Sequence, residues 1–115
     1  MLGQTLRQQR EARKATDRSF SLRQVAFRVG IEPAYLSKIE RGDVPPPGEE
    51  TLKKLARELG LDTDVTLAMA GKVSSDLQAV IRKRPQLFAE LIRQLKEVPD
   101  HAILSVVREV TDGDW

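Results

Sequence analysis

Ser21-Leu-Arg-Gln-Val-Ala-Phe-Arg-Val-Gly-Ile-Glu-Pro-Ala-Tyr-Leu-Ser-Lys-Ile-Glu-Arg-Gly42 is the stretch on which the reading of this chain turns. Ser21 and Gln24 stand three apart, the spacing of a capping box in which hydroxyl and amide each satisfy a free backbone donor at a helix start. A helix over about 22–29 follows, and Gly30 ends it. Pro33 suits the first turn of the next helix, where its missing N–H is not needed. That helix covers about 33–41 and stops at Gly42, a residue suited to a left-handed cap. Val25, Val29, Ile31, Leu36 and Ile39 supply the apolar positions that lock the two helices, and Ala26 is small where they approach. An ordinary helical hairpin would share this apolar spacing, but two short helices about a glycine turn are also the form of a helix-turn-helix.

The outward face of the second helix separates these readings. With Leu36 and Ile39 inward, Ala34, Ser37, Lys38 and Arg41 form the opposite stripe at i, i+3, i+4 and i+7. A small residue, a hydroxyl and two cations suit a rod entering the major groove of duplex DNA. Ala34 allows close approach or contact with a thymine methyl, Ser37 donates or accepts, and Lys38 reaches guanine acceptors or a phosphate. Tyr35 lies at the edge of the stripe, between core and DNA backbone. A merely solvated face is the competing reading of the stripe alone.

Outward from this stretch nearly every segment reads as helix. The first runs from about Leu2 to Arg13, with Leu2, Leu6 and Gln9–Arg10 inward, and a polar loop follows from Lys14 to Ser19. Downstream, Asp43-Val-Pro-Pro-Pro-Gly48 is a stiff extended connector. A helix at about 49–59 opens on Glu49 and Glu50, buries Leu52, Leu55, Ala56 and Leu59, and closes at Gly60. Asp62 caps a fifth short helix to about Ala70. Beyond Gly71 the rhythm changes: Ser75 can cap a short helix carrying Leu77, Val80 and Ile81. Pro85 opens a longer helix, and Pro99 opens the last, about 100–111.

The 115 residues, 31% charged and without cysteine, fit one compact all-α domain with an appendage, held by packing rather than by disulfides. The expected division is a DNA-binding region over 1–71 and a dimerisation region over 72–115. Net charge is only +2, yet residues 1–47 carry nine Lys/Arg against five Asp/Glu, so the positive excess lies where a polyanion would dock. No apolar run approaches a membrane span and no signal-peptide pattern is visible, which points to the cytoplasm. Catalytic, cofactor and metal sites are not expected. His101 is the single histidine, and no spaced ligand cluster, phosphate cradle or nucleophile elbow is present.

Gly30-Ile-Glu-Pro-Ala-Tyr-Leu-Ser-Lys-Ile-Glu-Arg-Gly42, with Pro45-Pro-Pro-Gly-Glu-Glu-Thr-Leu-Lys-Lys-Leu-Ala-Arg-Glu-Leu-Gly-Leu-Asp62, resembles the Cro/CI-type, or XRE-type, helix-turn-helix regulators. The resemblance covers about residues 2–71. It implies a five-helix, lambda-repressor-like domain whose third helix reads the major groove. It places Pro33, Ala34, Tyr35, Ser37 and Lys38 where bases and phosphates are contacted. Leu22 and Arg23, and Arg41 with Gly42, fall where the DNA backbone is met. It also implies a buried structural pair between Arg10 and Glu40. The loop from Lys14 to Phe20 is longer than in compact members, and Lys14 and Arg18 are expected either to touch phosphates or to be mobile. Many members carry a hydrogen-bonding side chain at the start of helix three, where this chain has Pro33 and Ala34. Readout therefore falls on Lys38, Ser37 and Tyr35, with more weight on DNA shape.

In the C-terminal part, Phe88, Leu91, Ile92 and Leu95 face one way, and Ile103, Val106, Val107 and Val110 offer a matching strip. The two helices form a hairpin with more apolar surface than it can hide. Such a surface either folds back on the N-terminal bundle or, in the preferred reading, pairs with a second copy as an isologous homodimer on an inverted-repeat operator, with repression as output. An antitoxin or adaptor whose hairpin grips a different protein is the alternative.

Overall fold

The computed structural model describes residues 1–115, and the chain is all-helical. Five helices, α1 (Leu2–Lys14), α2 (Leu22–Val29), α3 (Pro33–Arg41), α4 (Glu49–Leu59) and α5 (Thr63–Met69), are followed by α6 (Ser75–Lys83), α7 (Pro85–Leu95) and α8 (Asp100–Asp112). Two compact units result, Met1–Ser75 and Asp76–Trp115. No helix is long and apolar enough to cross a membrane.

The first unit is built around leucines at helical spacing. Leu2 and Leu6 of α1, Val25, Ala26 and Val29 of α2, Leu36 and Ile39 of α3, Leu52, Leu55 and Leu59 of α4, and Leu67 of α5 form one buried cluster. Phe20, Leu22, Ile31 and Tyr35 pack half-buried against it. At about 1.5–3 kcal/mol for each fully buried large apolar side chain, this core is the main stabilising term. The helix ends are closed locally. Asp62 accepts from Val65 N–H at 2.9 Å, and Gly42, with φ 73°, ends α3 in the left-handed region that side chains avoid.

One glycine matters for a different reason. Gly3 lies inside α1, and a Cβ there would overlap the carbonyl oxygens of Ile39 and Glu40 at the end of α3. The missing side chain lets the two backbones touch.

Three local expectations need correction. Ser21 Oγ does accept from Gln24 N–H at 3.2 Å, but the reciprocal half of the capping box is not made: Ser21 N–H donates to the Arg18 carbonyl at 3.1 Å. The reason is the second correction. The stretch after Lys14 is not all loop, because Arg18–Phe20 forms a 3₁₀ turn that brings this carbonyl within reach. Ser75, third, does not stand before its helix as a cap but is its first residue, and its hydroxyl donates to both carboxylate oxygens of Glu49, at 2.9 and 3.0 Å.

The second unit is of another kind. No residue from Asp76 to Trp115 is buried. Ile92, Leu104, Val107 and Val110 are all more than half exposed. Helices of 9, 11 and 13 residues are marginal in water without packing.

Candidate nucleic-acid interface

The candidate surface is built on α3, and α3 is held from three directions. Beneath it, Leu36 and Ile39 enter the core. Before it, Gly30, with φ 82°, turns the chain, and Ile31 N–H donates back to the Ala26 carbonyl at 3.0 Å. The fully buried Ala26 lets α2 and α3 close on each other. Behind it, Glu40 takes two hydrogen bonds from Arg10 of α1, Nε to Oε2 at 2.7 Å and Nη2 to Oε1 at 2.9 Å. Arg10 and Glu40 are only 5% and 7% exposed. The bond to Glu40 raises the Arg10 pKa above its ordinary value despite the opposing effect of desolvation.

Arg10 also orders the segment between α1 and α2, since its Nη1 donates to the Phe20 carbonyl at 3.3 Å. The guanidinium groups of Arg13 and Arg28 each lie over the Phe20 ring, 5.4 and 5.3 Å from its centroid. Arg28 is fixed in turn by Glu58, at 2.6 Å. Asp17 caps the 3₁₀ turn by accepting from the Ser19 hydroxyl and N–H at 2.7 and 2.9 Å, bonds that lower its carboxyl pKa. Lys14 and Arg18 therefore sit on a hydrogen-bonded corner.

On the outer face of α3, Ala34 and Lys38 are exposed, whereas Pro33, Tyr35 and Ser37 are half-buried. Tyr35 packs against the core cluster. Arg41 donates from Nη1 to Ser37 Oγ at 2.6 Å and from Nε to Asp43 Oδ2 at 2.8 Å. Lys14, Arg18, Arg23 and Lys38 are exposed and form no ion pair. Leu22, Ser37 and Arg41 meet around a shallow groove of about 260 Å³, lined also by Arg7, Arg10 and Glu40. Sequence reasoning overlooked Arg7 and Asp43 here. Arg7 stands one turn before Arg10 on the same side of α1, and this spacing was its visible signal.

A helix pair about a glycine turn, with α3 buttressed and its outer face presenting small, hydroxyl and cationic side chains, is matched by comparison with known families. The family described as "Helix-turn-helix domain" matches residues 1–69. The chain belongs to the XRE-type helix-turn-helix regulators. These are DNA-binding regulators, and the matched residues take in α1 to α5. The chain is also similar to RghRB of Bacillus subtilis (strain 168), an uncharacterized HTH-type transcriptional regulator, at 37% identity over 95 residues. That match takes in 83% of this chain and 56% of RghRB, so the chain spans little more than half the length of this relative. A match of that extent includes residues 21–95 wherever it starts, and so reaches past the XRE-type motif through α7. No solved structure matches the chain significantly.

Proposed function

We propose that this protein is a sequence-specific transcription regulator that binds duplex DNA through α3 and occupies an inverted-repeat operator as a homodimer, acting as a repressor in the cytoplasm. The observation that carries the reading is the stripe of Ala34, Ser37, Lys38 and Arg41 on a helix whose opposite face is locked by Leu36, Ile39 and the Arg10–Glu40 pair. Lys38 and Ser37 read base edges. Pro33, Ala34 and Tyr35 border the groove, and Leu22, Arg23, Arg41 and Gly42 meet the DNA backbone, with Lys14 and Arg18 adding phosphate contacts. RghRB, named as an HTH-type transcriptional regulator, supports the regulatory part of this reading. Selection of bound duplexes from a random pool tests it: a recovered site with two-fold symmetry supports the proposal, and recovery of no preferred sequence opposes it.

In this reading residues 1–71 bind DNA and 72–115 dimerise. Support for the second part comes from the lack of any buried residue from Asp76 to Trp115 together with the charge of residues 72–115, seven Lys/Arg against seven Asp/Glu. A neutral segment with an uncovered apolar face gains most by pairing with a surface like itself. Phe88, Leu91, Ile92 and Leu95 of α7 and Ile103, Val106, Val107 and Val110 of α8 form the proposed interface. Leu91→Asp or Val107→Asp would yield a soluble monomer with much weaker operator binding, measured by light scattering and DNA titration. A variant that stays dimeric would move the interface elsewhere.

The same uncovered face favours a second reading, an antitoxin or adaptor whose C-terminal helices hold a different protein. The two separate on the mass of the purified protein: a dimer mass supports the first, and a monomer whose α6–α8 fold only with an added partner supports the second.

A further inference from the structure

Ser37 is bonded differently from three other helical hydroxyls of this chain. Thr5, Thr66 and Ser105 each donate to the carbonyl four residues back, at 2.9, 2.8 and 3.1 Å. Ser37 makes no such bond. Its Oγ instead accepts from Arg41 Nη1, and Arg41 is steadied on its other edge by Asp43 Oδ2. A guanidinium has five N–H donors and no acceptor, so Ser37 cannot donate back to it. Accepting a charge-assisted bond polarises the hydroxyl, so its O–H becomes the stronger donor and its remaining lone pair, beside a cation, the poorer acceptor. Arg41 spends two of its donors in this arrangement, and the rest stay available to a phosphate.

We infer that Asp43 is a specificity-determining positioning residue: through Arg41 it biases Ser37 toward donating, so that a base presenting an acceptor opposite Ser37 is favoured. The inference rests on the proposed placement of α3 in the major groove. There guanine offers N7 and O6, adenine N7 and thymine O4, whereas cytosine offers only its N4 amino donor. A hydroxyl biased toward donating favours the first three over cytosine. A hydroxyl freed from Arg41 can turn about its C–O bond and serve as donor or acceptor, which blurs the choice. Asp43 is exposed and bears on this choice only through Arg41.

The test uses the full chain and four operator duplexes that differ only at the base pair Ser37 reads, located as the pair whose preference is lost in Ser37→Ala. Asp43→Ala is expected to reduce the preference for the acceptor base over cytosine about fivefold at that pair and at no other. It is expected to have no further effect on that preference in the Ser37→Ala background. Removing a carboxylate near phosphates also raises affinity for all four duplexes alike, so the ratio is the readout. An equal change on all four, a loss that persists without the Ser37 hydroxyl, or a Ser37→Ala variant with every preference intact would overturn the inference while DNA binding stands. Failure of the wild-type chain to bind any duplex would instead remove the functional reading beneath it.

Discussion

Arg10 and Glu40 face each other in parallel across α1 and α3, guanidinium edge to carboxylate edge, both buried. Burying two charges is costly, and their geometry and hydrogen bonds offset that cost only while both are present. Arg10→Ala and Glu40→Ala are each expected to destabilise the first unit by about 3–5 kcal/mol in urea unfolding, because each leaves one buried charge alone. Replacing both with apolar residues of similar volume should recover most of the loss. A single variant as stable as the wild type would show that the pair does not set α3 against α1.

Gly3 is the second hinge of the same contact. Gly3→Ala would ordinarily favour a helix, yet here the added methyl meets the Ile39 and Glu40 carbonyls. The expected result is a loss of about 1–3 kcal/mol, read from the urea midpoint with the slope unchanged. A stabilised Gly3→Ala variant would contradict the close approach of α1 and α3.

Helix positions were legible because punctuation marks them. Pro33 and Pro85 open helices, and Gly30, Gly42 and Gly60 close them in the left-handed region. The stripe Ala34, Ser37, Lys38, Arg41 followed from helical spacing once Leu36 and Ile39 were placed inside. Phe20 was not legible, because a lone aromatic in a polar stretch has no periodicity, and its partners Arg13 and Arg28 come from different helices. Gly3 did carry a signal, since a glycine inside a helix forfeits stability that some contact must offset. The clamp of Asp43 on Arg41 and Ser37 needs rotamers, which no residue pattern specifies.

Glu49 makes the start of α4 sensitive to acid. Hydrogen bonds from Lys53 and Ser75 hold its carboxyl below the usual carboxylate range. A group with a lowered folded pKa contributes stability that is present above its unfolded value and lost as pH falls through the folded one. The tie between α4 and Ser75 is therefore expected to be intact at neutral pH and to loosen only in acid below the ordinary glutamate range. The chemical shift of the Ser75 amide, followed by NMR on lowering the pH, should move in that window in the wild type and not in Glu49→Gln. The same movement in Glu49→Gln would assign the effect to another group.

The account depends on α3 presenting Lys38 to base edges, and the most direct test compares affinity for the selected operator with affinity for scrambled DNA of equal length at fixed salt. Lys38→Ala should weaken operator binding about tenfold while leaving scrambled DNA nearly untouched, whereas Arg18→Ala should weaken both alike. Equal losses on both duplexes for Lys38→Ala would contradict the placement of α3 in the groove.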